Sequence, residues 1–191
     1  MSDNSIVILL KTKRTVFSTK DLAMLWKIDD LNYLKVKVYR LVKSGALKRI
    51  KKGFFAFDDN YNVWELANKL CSPSYVSLRT VLAASGVIFQ YDSTIYSIAK
   101  NSRVVTVGKQ KFVYQKIKNE VLFNITGLKI TNDCTSAVLE RAILDTLYLQ
   151  KDCYFDNIRP INWDMCFEFV KIYQNKKLEN RLQNLYQTYV K

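Results

Sequence analysis

Histidine is absent from this 191-residue chain. With it go Ser-His-Asp and Cys-His nucleophile arrangements, the side chain most often used as a general base near neutral pH, and every zinc site that depends on imidazole. Glycine and proline are scarce, at five and two residues. Neither the GxxxxGK[ST] nor the GxGxxG spacing occurs, so the phosphate-cradling loops of nucleotide-binding folds are not expected. The cysteines, Cys71, Cys134, Cys153 and Cys166, have no paired spacing and read as small apolar residues in a reducing cytoplasm. No run approaches the roughly 18 to 20 apolar residues needed to cross a bilayer. Residues 5–10 are apolar, but they lack the basic leader and the length of a secretory signal and read as a short first helix. The expected location is cytoplasmic, and no cofactor is expected.

What the chain has in excess is positive charge. Thirty Lys and Arg face 17 Asp and Glu, a net charge of +13. The excess is uneven: the first 57 residues hold 13 cations and 4 anions, the remaining 134 hold 17 and 13. Abundant Asn, Ile, Tyr and Lys fit an AT-rich coding bias, which accounts for part of the total but not for its concentration at one end. A polyanionic partner for the N-terminal part is the direct implication.

The order of local signals there is specific. Ser18 stands three residues before Asp21 and ahead of an apolar-periodic run, the spacing of a capping box that starts a helix over about residues 19 to 27. Asp29 and Asp30 supply a turn and a second N-cap. YLKVKVYRLVKSGAL then continues as a helix that Gly45 stops. At about 100° per residue, Leu31, Leu34, Val38, Leu41 and Val42 share one face, which packs inward. Asn32, Tyr33, Val36, Tyr39, Arg40 and Lys43 lie roughly opposite, with Lys35 and Lys37 on the flanks. This is the surface that a recognition helix presents to a major groove: Arg40 suits guanine acceptors, Asn32 pairs with adenine, and Val36 touches a thymine methyl. Lys35, Lys37 and Lys43 suit phosphates, which fix register without reading sequence. The same residues would also serve as the solvated face of an amphipathic helix. LKRIKKGFFAF shifts the balance. Leu47 and Ile50 pack down, Lys48, Arg49, Lys51 and Lys52 crowd a hairpin turned at Gly53, and residues 54–57 return as an apolar strand. Two short helices followed by a basic hairpin outline a winged helix-turn-helix over residues 1–60, with double-stranded DNA as its partner.

Asp58, Asp59 and Asn60 mark a boundary. Residues 61–191 are expected to form a mixed helical domain with a small antiparallel sheet, giving an α+β chain overall. ELANKL and SYVSLRTVLAASGV read as two short helices around the Ser72 and Pro73 turn, the second with Leu78, Val81, Leu82 and Ser85 in helical spacing and Gly86 as its stop. Residues 94–98, 104–107 and 110–117 are rich in β-branched and aromatic side chains and are separated by turns at Asn101 and Ser102 and at Gly108 and Lys109, the pattern of an antiparallel sheet. A further strand is expected near residues 128–130. AVLERAILDTLYL reads as a helix burying Val138, Ala142 and Leu149, with Arg141 and Asp145 pairing on its surface at i, i+4. Leu178, Leu182, Leu185, Tyr186 and Tyr189 form a last amphipathic stripe that docks on the second core or on a second copy.

The succession of the basic winged region with RIKKGFFAF, then ELANKL, SYVSLRTVLAASGV, a small sheet and LERAILDTLYL resembles the AbiEi-type antitoxins, transcriptional regulators of type IV toxin–antitoxin and abortive-infection systems. Where that family carries a proline before the LERAILD helix, this chain has Thr135 and Ser136. The resemblance implies a non-enzymatic protein whose first domain represses its own operon. It implies that the second domain opposes a nucleotidyltransferase-like toxin without necessarily touching it. Because one winged domain reads only a short half-site, cooperative binding of two copies to repeats in its own promoter is expected.

Two other classes stay open on the residues alone. A metal-dependent nucleic-acid enzyme would draw on Asp133, Glu140 and Asp145, or on Asp152 and Asp156; the competing roles are a turn or cap for Asp133, a helix-dipole partner for Glu140 and an ion-pair partner of Arg141 for Asp145. A ligand-responsive repressor would line a pocket with Tyr96, Phe112 and Tyr114, residue types that serve equally as strand core.

Overall fold

The computed structural model describes residues 4–190 except 91, 132, 133, 151 and 152. It is a mixed α+β structure with two sheets. The N-terminal part runs α1 (Asn4–Lys11), β1 (Val16–Ser18), α2 (Thr19–Trp26), α3 (Leu31–Lys43), β2 (Lys48–Lys51) and β3 (Phe54–Ala56). Its three strands form an antiparallel sheet in the order β1-β3-β2.

The helix starts follow from their caps. The Ser18 hydroxyl accepts from the Asp21 amide while the Asp21 carboxylate accepts from the Ser18 amide, which starts α2. Lys27, in the left-handed region, ends it. The Asp30 carboxylate accepts from the amides of Asn32 and Tyr33 and starts α3. Leu34, Val38 and Leu41 from α3 then close a core with Leu9, Phe17, Leu22, Leu47 and Phe55. Leu31 differs from expectation: it is 61% exposed, and Val42 is only half-buried. Leu31 is the first residue of the helix, and the small core does not extend as far as that turn. Gly53 has φ +85°, the turn conformation that favours glycine, and its carbonyl accepts from the Thr19 amide at 2.9 Å. The tip of the β2–β3 hairpin is thereby tied to the start of α2.

The second part comprises α4 (Val63–Leu70), β4 (Ser74–Val76), α5 (Arg79–Ala84), β5 (Ile95–Ala99), β6 (Arg103–Val107), β7 (Gln110–Lys116), α6 (Asn119–Leu122), β8 (Leu128–Thr131), β9 (Cys134–Ala137), α7 (Leu139–Leu149), α8 (Trp163–Phe169) with a 3-10 turn at Val170–Tyr173, and α9 (Lys176–Val190). Its six strands are ordered β6-β7-β5-β4-β9-β8. The sheet is mixed rather than antiparallel, since β5 runs parallel to β7 and β4 parallel to β9. Short turns show where a chain reverses but not which strand fills the next place; here β7 inserts between β5 and β6. The segment expected as a single helix after Pro73 also divides, into β4 and α5, with Leu78 at φ +55° between them. A short apolar run does not by itself separate strand from helix, and the aromatic and β-branched pair Tyr75 and Val76 favours the strand.

Side chains alternate across this sheet, so Tyr75 and Tyr114 point to opposite faces. The Tyr114 hydroxyl donates to the Ala67 carbonyl on α4 at 2.7 Å, and the Tyr75 hydroxyl donates to Asp145 on α7 at 3.1 Å. Helices therefore cover both faces. α7 is buried from Glu140 through Leu147, which places Arg141 and Asp145 in the core and not on the surface. Their i, i+4 spacing is independent of which face of the helix is wet. The last helix docks on this core through Leu178 and Leu182, with Tyr186 packed edge-on to Trp163 and Phe167; Leu185 is half-buried, and Tyr189 at the far end is exposed. Among the described residues no helix is long and apolar enough to cross a membrane.

The exposed Asp58, Asp59 and Asn60 separate the two parts in sequence, yet the parts are joined in space. Val16 belongs to the second core. Glu65, 2% exposed on α4, accepts from the Thr15 amide at 2.9 Å, the Thr15 hydroxyl at 2.6 Å and the Val16 amide at 3.1 Å. Lys69, one turn further along α4, pairs with Asp21 at 2.9 Å.

Candidate nucleic-acid interface

Because Leu34, Val38 and Leu41 fix the inner side of α3, the rows between them are left to solvent. Asn32, Tyr33, Lys35, Val36, Tyr39, Arg40 and Lys43 are all exposed. The helix contains no Asp or Glu, and among the described residues none of its four cations forms an ion pair with an acid. With 13 residues it is about 20 Å long at 1.5 Å per residue, and an α-helix fits a major groove about 12 Å wide. Tyr33, Val36, Lys37 and Arg40 line a groove of about 190 Å³ on this face, which brings Val36 and Arg40 together but does not include Asn32.

Lys37 is held differently from Lys35. Its ammonium lies 4.9 Å from the centre of the Trp26 ring, and the Trp26 indole N–H donates to the Ser5 carbonyl at 3.1 Å. The flank lysine is thus oriented by α2 and α1, while Lys35 extends into solvent.

In the hairpin, Lys48, Arg49, Lys51 and Lys52 are exposed, as expected. They are not equivalent. Lys48 forms an ion pair with Asp59, which offsets part of its charge. The Arg49 guanidinium lies 5.7 Å from the centre of the Phe55 ring. Lys51 and Lys52, at the turn, make no ion pair among the described residues and are the most available cations. A register shift between Arg49 and Lys51 accompanies a divided packing: Leu47 enters the first core, whereas Ile50 and Phe54 pack against the second. The hairpin is therefore oriented by both parts of the chain, a role that the sequence pattern did not show.

Asp21 is the electrostatic joint behind this surface. Burial works to raise its carboxyl, but the Ser18 amide, Lys69 and the Ser18 hydroxyl outweigh it and hold the group below its ordinary value. The sequence showed Asp21 as a helix cap; its second role depends on Lys69, 48 residues away, and no local pattern reports such a pairing.

The other ionisable cluster is interior. Arg141 and Asp145 are both 0% exposed. Asp145 accepts from the hydroxyls of Tyr75, Tyr173 and Ser77 at 3.1, 2.7 and 2.7 Å, and its Oδ1 lies 3.6 Å from Arg141 Nε. Arg141 donates to the carbonyls of Thr126 and Val121, each at 2.7 Å, and to the Tyr75 hydroxyl at 3.3 Å. Burial raises the Asp145 carboxyl above its ordinary value, and Arg141 with the three hydroxyls restrains that rise. The arrangement ties α7 to β4, to the loop before β8 and to the turn before α9. Gly127 belongs to this packing: at φ +72°, an added Cβ would stand 2.9 Å from Phe169 and 3.1 Å from the Arg141 Cβ.

The carboxylates considered for metal do not converge. Asp145 is committed as described, Glu140 is buried and accepts from the Asn162 amide at 3.1 Å, and Asp156 accepts from the Phe89 amide at 2.8 Å. Asp133 and Asp152 lie outside the described residues. Among the described residues no group of three or more acidic or cysteine side chains is placed to hold a metal ion. Of the three aromatics considered for a ligand pocket, Phe112 and Tyr114 are core residues, each 1% exposed, and Tyr96 donates its hydroxyl to Asp92 at the surface. No protein-family model matches the sequence, and no curated protein is significantly similar to it.

Proposed function

We propose that residues 1–60 are a winged helix-turn-helix that binds double-stranded DNA, with α3 as recognition helix and the β2–β3 hairpin as wing, and that the chain is a repressor of its own promoter. The observation that carries this is the outer face of α3. It belongs to a 13-residue helix free of acids, and it presents exposed Asn32 and Arg40 together with Lys35, Lys37 and Lys43, beside a hairpin whose tip carries Lys51 and Lys52. Arg40, Asn32, Tyr33 and Val36 read base edges; Lys35, Lys37, Lys43, Lys48, Arg49, Lys51 and Lys52 contact phosphates. One such module covers a short half-site, so two copies bind repeats spaced by about one helical turn or a multiple of it. Footprinting on the DNA upstream of the gene tests this: the proposal expects protection of at least two repeated sites appearing together with rising protein concentration, and a single isolated site contradicts it.

The likeness to AbiEi-type antitoxins supports the second half of the proposal, in which the chain is the antitoxin of a type IV system. Residues 61–191 then oppose a nucleotidyltransferase-like toxin. Co-expression with the product of an adjacent gene of that class tests it, with rescue of growth expected from residues 61–191 in the full chain carrying Arg40→Ala. Growth arrest undiminished by the full chain would contradict it.

A further inference from the structure

We propose that the groove on the outer face of α3 is a pocket for the C5-methyl group of a pyrimidine base. The DNA bound by this helix then carries a thymine, or a 5-methylcytosine in its place, within about two base pairs of the guanine contacted by Arg40. The pocket rests on α3 being the recognition helix, and adds to that reading which base is recognised and through which of its groups.

Helical spacing builds the pocket. Tyr33, Val36, Lys37 and Arg40 stand at i, i+3, i+4 and i+7, the four corners of the hole into which a knob from a facing surface inserts when a helix packs. Leu41 completes the lining, so every residue around the hole belongs to α3. Val36 forms one side. Lys37 forms the other, and because its ammonium is drawn onto Trp26, 4.9 Å from the ring centre, its methylene stem is what lines the hole. The neighbouring hole, cornered by Asn32, Lys35, Val36 and Tyr39, lacks this feature, since Lys35 extends into solvent.

Chemistry selects the occupant. The side chains of Val36 and Leu41 and the stem of Lys37 offer no hydrogen-bonding group, so a base is recognised there by shape and apolar contact. The one apolar group that a base edge presents in the major groove is the C5-methyl of thymine. A 5-methylcytosine carries the same methyl. Arg40 closes one end of the hole with the planar fork that suits guanine O6 and N7. Four residues separate it from Val36, about 6 Å of helix axis at 1.5 Å per residue, against about 3.4 Å per base step. With the helix lying along the groove, the methyl and the guanine fall within about two base pairs of each other.

Binding of the full chain to its upstream DNA, with each thymine of the bound repeats replaced in turn by deoxyuridine, tests the pocket, because that exchange removes only the methyl. At one position in each repeat, wild-type binding is expected to weaken about fourfold, the effect of losing one buried methyl. That position should lie within about two base pairs of a guanine whose replacement affects wild type but not Arg40→Ala. Val36 is exposed, so Val36→Ala should match wild type in circular dichroism, yet bind the thymine and deoxyuridine duplexes alike. Cytosine at the same position should weaken wild-type binding, and 5-methylcytosine should recover part of the loss. Preference for upstream DNA that survives deoxyuridine at every position would overturn the pocket and leave the recognition helix standing. So would a sensitive position that Val36→Ala still senses. Wild type without any preference for this DNA would overturn both. A concentration-dependent dimer lost in Val36→Ala, with DNA affinity unchanged, would overturn the pocket by assigning the hole to a side chain of a second copy.

Discussion

The carboxylate of Glu65 accepts two hydrogen bonds from Thr15, one from its amide and one from its hydroxyl, and so fastens the strand that opens the N-terminal sheet to the first helix of the second part. Together with the Asp21–Lys69 pair it makes the two parts mechanically continuous. The surface proposed to read DNA, built on the first part, is thereby held by residues of the second.

Replacing Glu65 with Ala leaves the amides of Thr15 and Val16 without their acceptor in a buried position. Unfolding by urea should show a loss of about 2 to 4 kcal/mol, since hydrogen bonds to charged groups contribute about 1.5 to 3 kcal/mol each but are not additive. Glu65→Gln, which keeps one acceptor oxygen, should cost less. Equal losses for the two variants would show that packing, not hydrogen bonding, holds the joint.

Breaking the Arg141–Asp145 pair from one side should be worse than removing both. Asp145→Ala leaves a buried guanidinium without its counter-charge and should cost about 3 to 5 kcal/mol. The double variant Arg141→Met, Asp145→Leu should recover part of that loss. Chemical denaturation of the two variants side by side decides it, and a double variant less stable than Asp145→Ala would contradict the account.

Asp21 should contribute to acid sensitivity. Its carboxyl sits below the ordinary value of 3.8 in the folded chain, so the folded form binds its proton less readily than the unfolded form. The stabilisation is therefore fully present above the ordinary carboxyl range and is lost as pH falls through the lowered folded value. Melting temperature measured from pH 7 down to pH 3 should fall less steeply for Asp21→Asn than for wild type, and parallel curves would remove Asp21 from the explanation.

Two thiols should be silent in the native protein. Burial, then the nearby charge of Glu65, raises Cys134 to about 11; burial, then Glu140, raises Cys166 to about 12. Alkylation with iodoacetamide at pH 8 should modify both only after denaturation, as read by mass spectrometry of the peptides. Native labelling at the rate of an open thiol would contradict their burial.

The N-terminal part was legible because its signals are local. Ser18 and Asp21, Asp30, Gly53 and the spacing of Leu34, Val38 and Leu41 each act over a few residues. The second part was legible in its strands near residues 95–116 and in its helices, but not in its connections. The parallel pairing of β5 with β7, the burial of Arg141 and Asp145, and the grip of Glu65 on Thr15 are contacts between distant residues, and single-sequence periodicity carries no register for them. Leu31 shows the converse case: its place on the helical wheel was correct, but no core lies opposite it.

The most direct test of the proposed function is binding to the chain's own upstream DNA across a salt series, with Arg40→Ala and a Lys51→Ala, Lys52→Ala variant beside wild type. The account expects wild type to prefer this DNA over unrelated sequence and its affinity to fall with salt at a log–log slope of about −0.9 per phosphate contacted. Arg40→Ala should lose the preference, whereas the hairpin variant should weaken binding to all sequences and flatten the slope by up to about two phosphates. Wild type binding both DNAs equally, or Arg40→Ala keeping the preference, would contradict the assignment of α3 as the reading helix.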